Sequence, residues 1–257
     1  MTDLPAHGRV QCALCHRGQA YAFDRTRTEE DGWRITNNPL AWGNPRPEFV
    51  VMGFSKGPTQ AGALSSQPHD QIAFRGGRTN LAKILHHVGL LTAPDSRLVD
   101  QAIADRDGRF HFGSLIRCTV ERRDAKETVP DKQWKGTGGG MLDKFIARDF
   151  GRKVLTNCST QFLGDLPNPT KLIVMLGLGT AGNYVTACRQ AFAKARPGSW
   201  RPLNEVTYTD DKVVVVHTEH FASQGALLPN WLSGEGHERG RLGLLAQAGV
   251  RFALGRS

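Results

Sequence analysis

Four cysteines are the residues whose type and spacing most directly imply chemistry. Cys12 and Cys15 flank Ala13-Leu14, and two thiolates three residues apart can face one ion. Cys118 and Cys158 each fall near the end or start of a predicted element. Four thiolates can hold a zinc ion or an iron–sulfur cluster. Spacing separates neither these two metals nor ligation from simple burial, because free cysteines are often internal. Cys188 stands beside Ala187 in a helical stretch and reads as a small buried hydrophobe. The five cysteines are an odd number, and the start Met1-Thr2-Asp3-Leu4-Pro5 lacks a charged segment followed by an apolar core. The expectation is therefore a cytoplasmic protein whose cysteines serve metal or redox roles rather than disulfides.

Charge is the second chemical signal. With 33 Lys and Arg against 24 Asp and Glu, the formal net charge is +9. Such a balance favours acidic polymers as partners, nucleic acid before an anionic membrane surface, and it also fits a solvated basic surface with no ligand. No apolar run reaches the roughly 18 residues a membrane span needs, so no membrane partner is expected.

These groups must be positioned by a scaffold. Residues 1–47 are polar and rich in turn formers, and read as a loop-rich lead-in with a short cysteine knuckle. Phe49–Gly53 is an apolar run ending in glycine, which suits a buried parallel strand. Thr79–Leu91 has helical apolar spacing at 81, 84, 85 and 88. Phe112–Ile116 is a second strand closing on Cys118; Lys171–Gly177 is a third, followed by a helix over Thr180–Ala195; Val213–Val216 is a β-branched fourth. Met141–Phe150 and the surroundings of Cys158 look helical, 119–140 reads as an inserted basic, glycine-rich loop, and Glu238–Leu254 as a helix followed by a short strand. The expectation is one α/β domain over 1–257, with a central, mainly parallel four-stranded sheet flanked by helices. Ligands in such sheets bind beyond the carboxyl ends of the strands. That places the loops after Gly53, Cys118, Gly177 and Val216 around one crevice.

The order of these features resembles the iron–sulfur uracil-DNA glycosylases, family 4 of the uracil-DNA glycosylase superfamily, over roughly residues 10–250. Gly53-Phe54-Ser55-Lys56-Gly57 stands where that family has its water-activating Gly-Glu-Ala-Pro-Gly loop. Phe74-Arg75-Gly76 stands at Pro-Phe-Val-Gly, whose phenylalanine stacks on the extruded base. Gly113–Cys118 stands at Thr-Asn-Val-Val-Lys-Cys, whose asparagine reads uracil. Leu176-Gly177 matches the close of the next strand, and Thr218-Glu219-His220-Phe221-Ala222 matches Thr-Tyr-His-Pro-Ala/Ser, whose histidine faces the departing base. The resemblance implies a [4Fe–4S] cluster on Cys12, Cys15, Cys118 and Cys158 and a base flipped out of DNA; the protein is expected to bind DNA as a monomer.

The departures bear on the substrate. Phe54 replaces the glutamate, Ser114 the uracil-reading asparagine and Phe221 the proline. The resemblance then implies His220 as the base-facing group, with His217 as the other register. With Phe54 in the usual acid slot, the candidate carboxylates to activate water or protonate the base are Asp70, four residues before Phe74, and Glu219, next to His220. Gly53, Phe54, Ser55, Phe74 and Ser114 are expected to bind the substrate. Lys56, Arg75 and Arg78 are expected on phosphates, and Leu227 and Leu228 as an apolar wedge in the gap left by the base. Serine is shorter than asparagine and leaves space, so the expected target is a modified pyrimidine, such as hydroxymethylated or glucosylated cytosine of phage DNA, in phage defence. The alternatives are uracil excision in repair and an inactive iron–sulfur protein that only binds DNA.

Overall fold

The structure, a computed structural model, describes residues 3–16, 21–129, 132–136, 141–179 and 183–256. Four short strands come first: β1 (Gly8–Arg9), β2 (Arg27–Glu30), β3 (Trp33–Thr36) and β4 (Leu40–Gly43). β5 (Phe49–Gly53) precedes α1 (Pro58–Gly62), α2 (His69–Ile72), α3 (Arg78–His87) and α4 (Ser96–Ala104). Then follow β6 (Phe110–Ser114), β7 (Thr119–Arg123), β8 (Trp134–Gly136), α5 (Leu142–Ile146) and α6 (Asp149–Leu163). β9 (Leu172–Leu176) and α7 (Asn183–Ala195) lead to β10 (Arg201–Asn204), β11 (Thr207–Thr209) and β12 (Val214–Thr218), and the chain closes with α8 (Leu227–Ser233) and α9 (Glu238–Ala253). None of the described helices is long and apolar enough to cross a membrane.

The expected central, mainly parallel four-stranded sheet is not what forms. The chain is α/β, but its main sheet is mixed and has eight strands, ordered β1-β4-β6-β5-β9-β12-β11-β10, and a second sheet has four, ordered β2-β3-β7-β8. Parallel pairing is confined to β6–β5, β5–β9 and β9–β12. The remaining strands pair antiparallel. An uninterrupted apolar run marks only a strand buried on both faces. Outer strands such as Arg201–Asn204 and Arg27–Glu30 are short, polar and largely exposed, and are held by backbone pairing that leaves no pattern in the sequence. The cysteine knuckle is not shown either: residues 12–16 form a turn in which the His16 N–H donates to the Ala13 carbonyl at 2.9 Å, and residues 17–20 lie outside the described ones. The span expected as an extended loop supplies β7 and β8, with residues 130–131 and 137–140 outside the description. The tail is one helix, α9, with no strand after it among the described residues.

Alternation along the parallel strands divides the core in two. Val50 and Met52 of β5, Ile173 and Met175 of β9 and Val215 of β12 face a layer with α5, α6 and α7. Phe49 and Val51, Leu172 and Val174, and Val214 and Val216 face the opposite layer with α3, α4, α8 and α9. The register pairs Gly53 with Ser114 and Leu176 with Thr218. The carboxyl ends of the four parallel strands therefore lie on one side of the sheet, where the loops gather.

His217 on β12 belongs to the core. Fully buried, it has Nδ1 3.1 Å from the Gly177 carbonyl and Nε2 3.2 Å from the Tyr208 hydroxyl. These bonds fit a neutral ring that donates from Nδ1 and accepts at Nε2. Burial pushes its pKa down to about 4, partly offset by the bond to Gly177. The unfolded chain takes up this proton near 6.5, so stability is full above that value and falls as pH drops toward 4. The expected loss is roughly 3 kcal/mol by pH 4, read as a falling denaturation midpoint in urea. A midpoint unchanged between pH 7 and pH 4.5 would contradict this burial.

Candidate functional site

A pocket of about 330 Å³ opens at the carboxyl ends of β5 and β6. Phe74, Ser114 and His220 all line it, together with the Gly53–Gly57 loop and Arg75. Phe74 is 4% exposed and holds a φ of 50°, a backbone conformation uncommon outside glycine. Its ring meets Phe112 and Phe221 edge-on, with centroids 5.8 and 5.5 Å away. Phe221 is seated by Gly77, whose missing side chain leaves room for its ring, and by the Asn80 amide, which donates to the Phe221 carbonyl at 2.9 Å.

Ser114 donates its hydroxyl to the Ile116 carbonyl at 2.8 Å. Its proton is committed, so toward the pocket it offers lone pairs only. Phe54 turns its ring into the core, edge-on to Phe145, and is 2% exposed. The Ser55 hydroxyl is buried without a hydrogen-bond partner among the described residues, and Ser55 borders the pocket. Trp42 and Gln60 also line the wall. They carry no local motif, which is why sequence reasoning missed them; Gln60 reaches the wall only because α1 follows the glycine loop.

The His220 loop is pinned from behind. The Ala222 N–H donates to His220 Nδ1 at 3.1 Å, so the ring proton of the neutral form sits on Nε2. Burial lowers its pKa below the usual 6.5, opposed in part by Glu219. At neutral pH the ring is an uncharged donor. Glu219 is buried and fully engaged: Oε1 accepts from the His220 N–H (3.0 Å) and the Ser223 hydroxyl (2.7 Å), and Oε2 pairs with Arg239 (2.7 Å). It holds the loop and does not line the pocket.

Asp70 is also elsewhere. Its Oδ1 lies 2.8 Å from His7 Nε2, and His69 stands edge-on to His7 with centroids 4.7 Å apart. His7, His69 and Asp70 offer ligand atoms within 4.8 Å of one another. However, His7 Nδ1 accepts the Gly43 N–H at 3.2 Å, which puts the ring proton on Nε2, toward Asp70, where a metal would need a lone pair. Among the described residues, no carboxylate lines the pocket. Of the expected cations, Arg75 lines the pocket and is exposed. Arg78 is tied to Asp100 (2.6 Å) and to the carbonyls of Ala73 and Asp70. Lys56 is buried, donating to the Arg117 carbonyl.

The four cysteines of interest lie behind this loop. Cys118 and Cys158 are buried, and Cys12 and Cys15 pack against the core layer that contains Cys158. Burial pushes the Cys118 thiol up to about 11, countered by Lys56, with Cys15 and Cys12 raising it further. Cys158 is raised by burial and then by Cys118, Cys15 and Cys12. The four sulfurs thus sense one another, yet no three described cysteine sulfurs lie within 4.8 Å of one another. Ligands ~2.3 Å from one zinc ion would have to be that close; several iron atoms hold their thiolates farther apart. The surroundings fit an anionic group. An N–H donor reaches one sulfur, from the Asn157 amide to Cys15 at 3.4 Å. Among the described residues, Lys56 and Arg117 are buried with no carboxylate at ion-pair distance, and Arg117 Nε has no hydrogen-bond partner. Buried cations need such compensation.

The two leucines expected as a wedge open α8, which begins at Leu227. Leu228 is 4% exposed and packs in the core, whereas Leu227 is 40% exposed. Only Leu227 is placed to act as a wedge. Leu228→Ala should cost roughly 2–5 kcal/mol of stability, and Leu227→Ala at most about 0.5 kcal/mol. Urea denaturation of both variants checks this, and equal losses would contradict it. A larger cavity, of about 660 Å³, lies between α7, α9 and β10–β11 and contains none of the expected site residues. The convergence of groups with unspent hydrogen-bonding capacity singles out the smaller one.

No protein-family model matches this chain. No curated protein matches it either.

Proposed function

We propose that the protein is a DNA glycosylase that flips a nucleotide out of DNA, holds its base in the pocket and hydrolyses the N-glycosidic bond to leave an abasic site. The observation that carries this reading is the meeting of Phe74, Ser114 and His220 in one pocket beyond the parallel strands. Those are the places at which the resembling glycosylases stack the base, read its edge and face it as it leaves. Departure of the base leaves positive charge on the sugar and negative charge on the base, much as in glycoside hydrolysis. The Nε2–H of neutral His220 donates to the base oxygen as that charge grows. With no carboxylate in the described lining, the rate rests on this leaving-group contact more than on a general base.

Ser114 selects the base. As an acceptor it matches the exocyclic amine of a cytosine, whereas uracil presents a carbonyl there. A hydroxymethylated or glucosylated cytosine of phage DNA uses both the acceptor and the space left by the short side chain, so phage defence is the proposed role. Cys12, Cys15, Cys118 and Cys158 would hold a [4Fe–4S] cluster. When bound, it supplies iron–thiolate bonds that staple the N-terminal segment to the sheet, and negative charge beside Lys56 and Arg117. Purified protein should then be brown, with broad absorption near ~400 nm; colourless protein with stoichiometric zinc would overturn the iron. The lack of a carboxylate in the described lining favours one second reading, a DNA-binding iron–sulfur protein without catalysis. Alkali-labile sites in DNA containing uracil, hypoxanthine or modified cytosine separate the two.

A further inference from the structure

β7 and β8 form an antiparallel pair at the edge of the four-stranded sheet. Arg122, Arg123, Lys126 and Lys135 are exposed there and line a groove of about 460 Å³ whose only described carboxylate is Asp124. The register sets Arg122 directly opposite Lys135. Like charges facing each other across a strand pair destabilise it, so the arrangement calls for an anion. Internal compensation is incomplete. Lys135 lies 3.7 Å from Glu127 and Arg123 donates to Gln133, while Arg122 and Lys126 have no carboxylate at ion-pair distance among the described residues. The groove runs into the pocket: Gly136 lines both, and a side chain on it would meet the Pro58 ring at 2.5 Å.

We infer that this groove holds the phosphodiester backbone of the DNA strand that carries the flipped nucleotide, next to that nucleotide; the inference rests on the glycosylase reading. Phosphates supply regularly spaced charge, and each one neutralised releases counterions and steepens the salt dependence of binding. The triple variant Arg122→Ala, Lys126→Ala, Lys135→Ala tests it. Its control is Lys194→Ala, Arg201→Ala, Lys212→Ala, which removes equal charge from exposed residues of α7, β10 and the β11–β12 turn. The readout is fluorescence anisotropy with a labelled single-stranded oligonucleotide across a salt series. For the groove variant, binding at low salt should weaken about 10-fold or more, and the slope of log K against log salt should flatten by roughly 2. The control should keep the wild-type slope. Should the triple variant fold poorly, Lys126→Glu reads the same surface from one exposed residue. Wild-type protein that binds DNA with a slope the groove variant shares, or a control that loses as much, overturns the groove alone. Wild-type protein that binds no DNA overturns the glycosylase reading with it.

Discussion

His220→Ala should slow base release about 10²-fold or more, the scale for losing one preorganised donor to a developing negative charge. The expected size follows from three placements. The ring borders the pocket, its Nδ1 is occupied by the Ala222 N–H, and burial keeps it neutral, so Nε2–H is free for the base. Its backbone N–H is held by Glu219, so the loop has an anchor that alanine at 220 keeps. Single-turnover rates with enzyme in excess over DNA and well above Kd isolate the chemical step. A variant that weakens DNA binding but leaves that rate unchanged would remove His220 from the chemistry.

Ser114→Asn should move the preference between modified cytosine and uracil toward uracil by roughly 5- to 150-fold, the worth of a good base-edge pair. Serine at the end of β6 spends its proton on the Ile116 carbonyl and presents only an acceptor. Asparagine adds a donor that can meet the uracil carbonyl, and its bulk removes room for a substituent on the cytosine. Competition between the two DNAs in one reaction measures this ratio. An unchanged ratio would mean that Ser114 does not read the base.

The readable parts of the fold were those where side chains repeat a physical constraint. Phe49–Gly53 and Leu172–Leu176 are buried on both faces, and their uninterrupted apolar runs say so. The outermost strands of the main sheet, β1 and β10, are short and not buried, and β10 tolerates Pro202 at the sheet edge, so nothing in their sequences signalled pairing and the sheet came out wider than expected. The charged β7–β8 pair read as loop for the same reason. In the site, Phe74, Ser114 and His220 were legible through the motifs of the resembling family, and the fold brings the three to one pocket. The roles of the carboxylates were not. Asp70 meets His7 from sixty-three positions away, and Glu219 meets Arg239 from α9, contacts that only the folded chain creates. The same holds for Lys56, a cation that looked like a phosphate contact and is buried, with its ammonium on the Arg117 carbonyl.

The central claim is base excision, and mass spectrometry of the free base released from DNA tests it most directly. Duplexes carrying hydroxymethylated cytosine, glucosylated cytosine or uracil would be incubated with the brown, iron-containing protein. The expected result is free modified cytosine equal in amount to the alkali-labile sites formed, released faster than uracil. DNA that is bound with no base released from any substrate would contradict the enzyme, and uracil released faster than every modified cytosine would contradict the reading of the pocket.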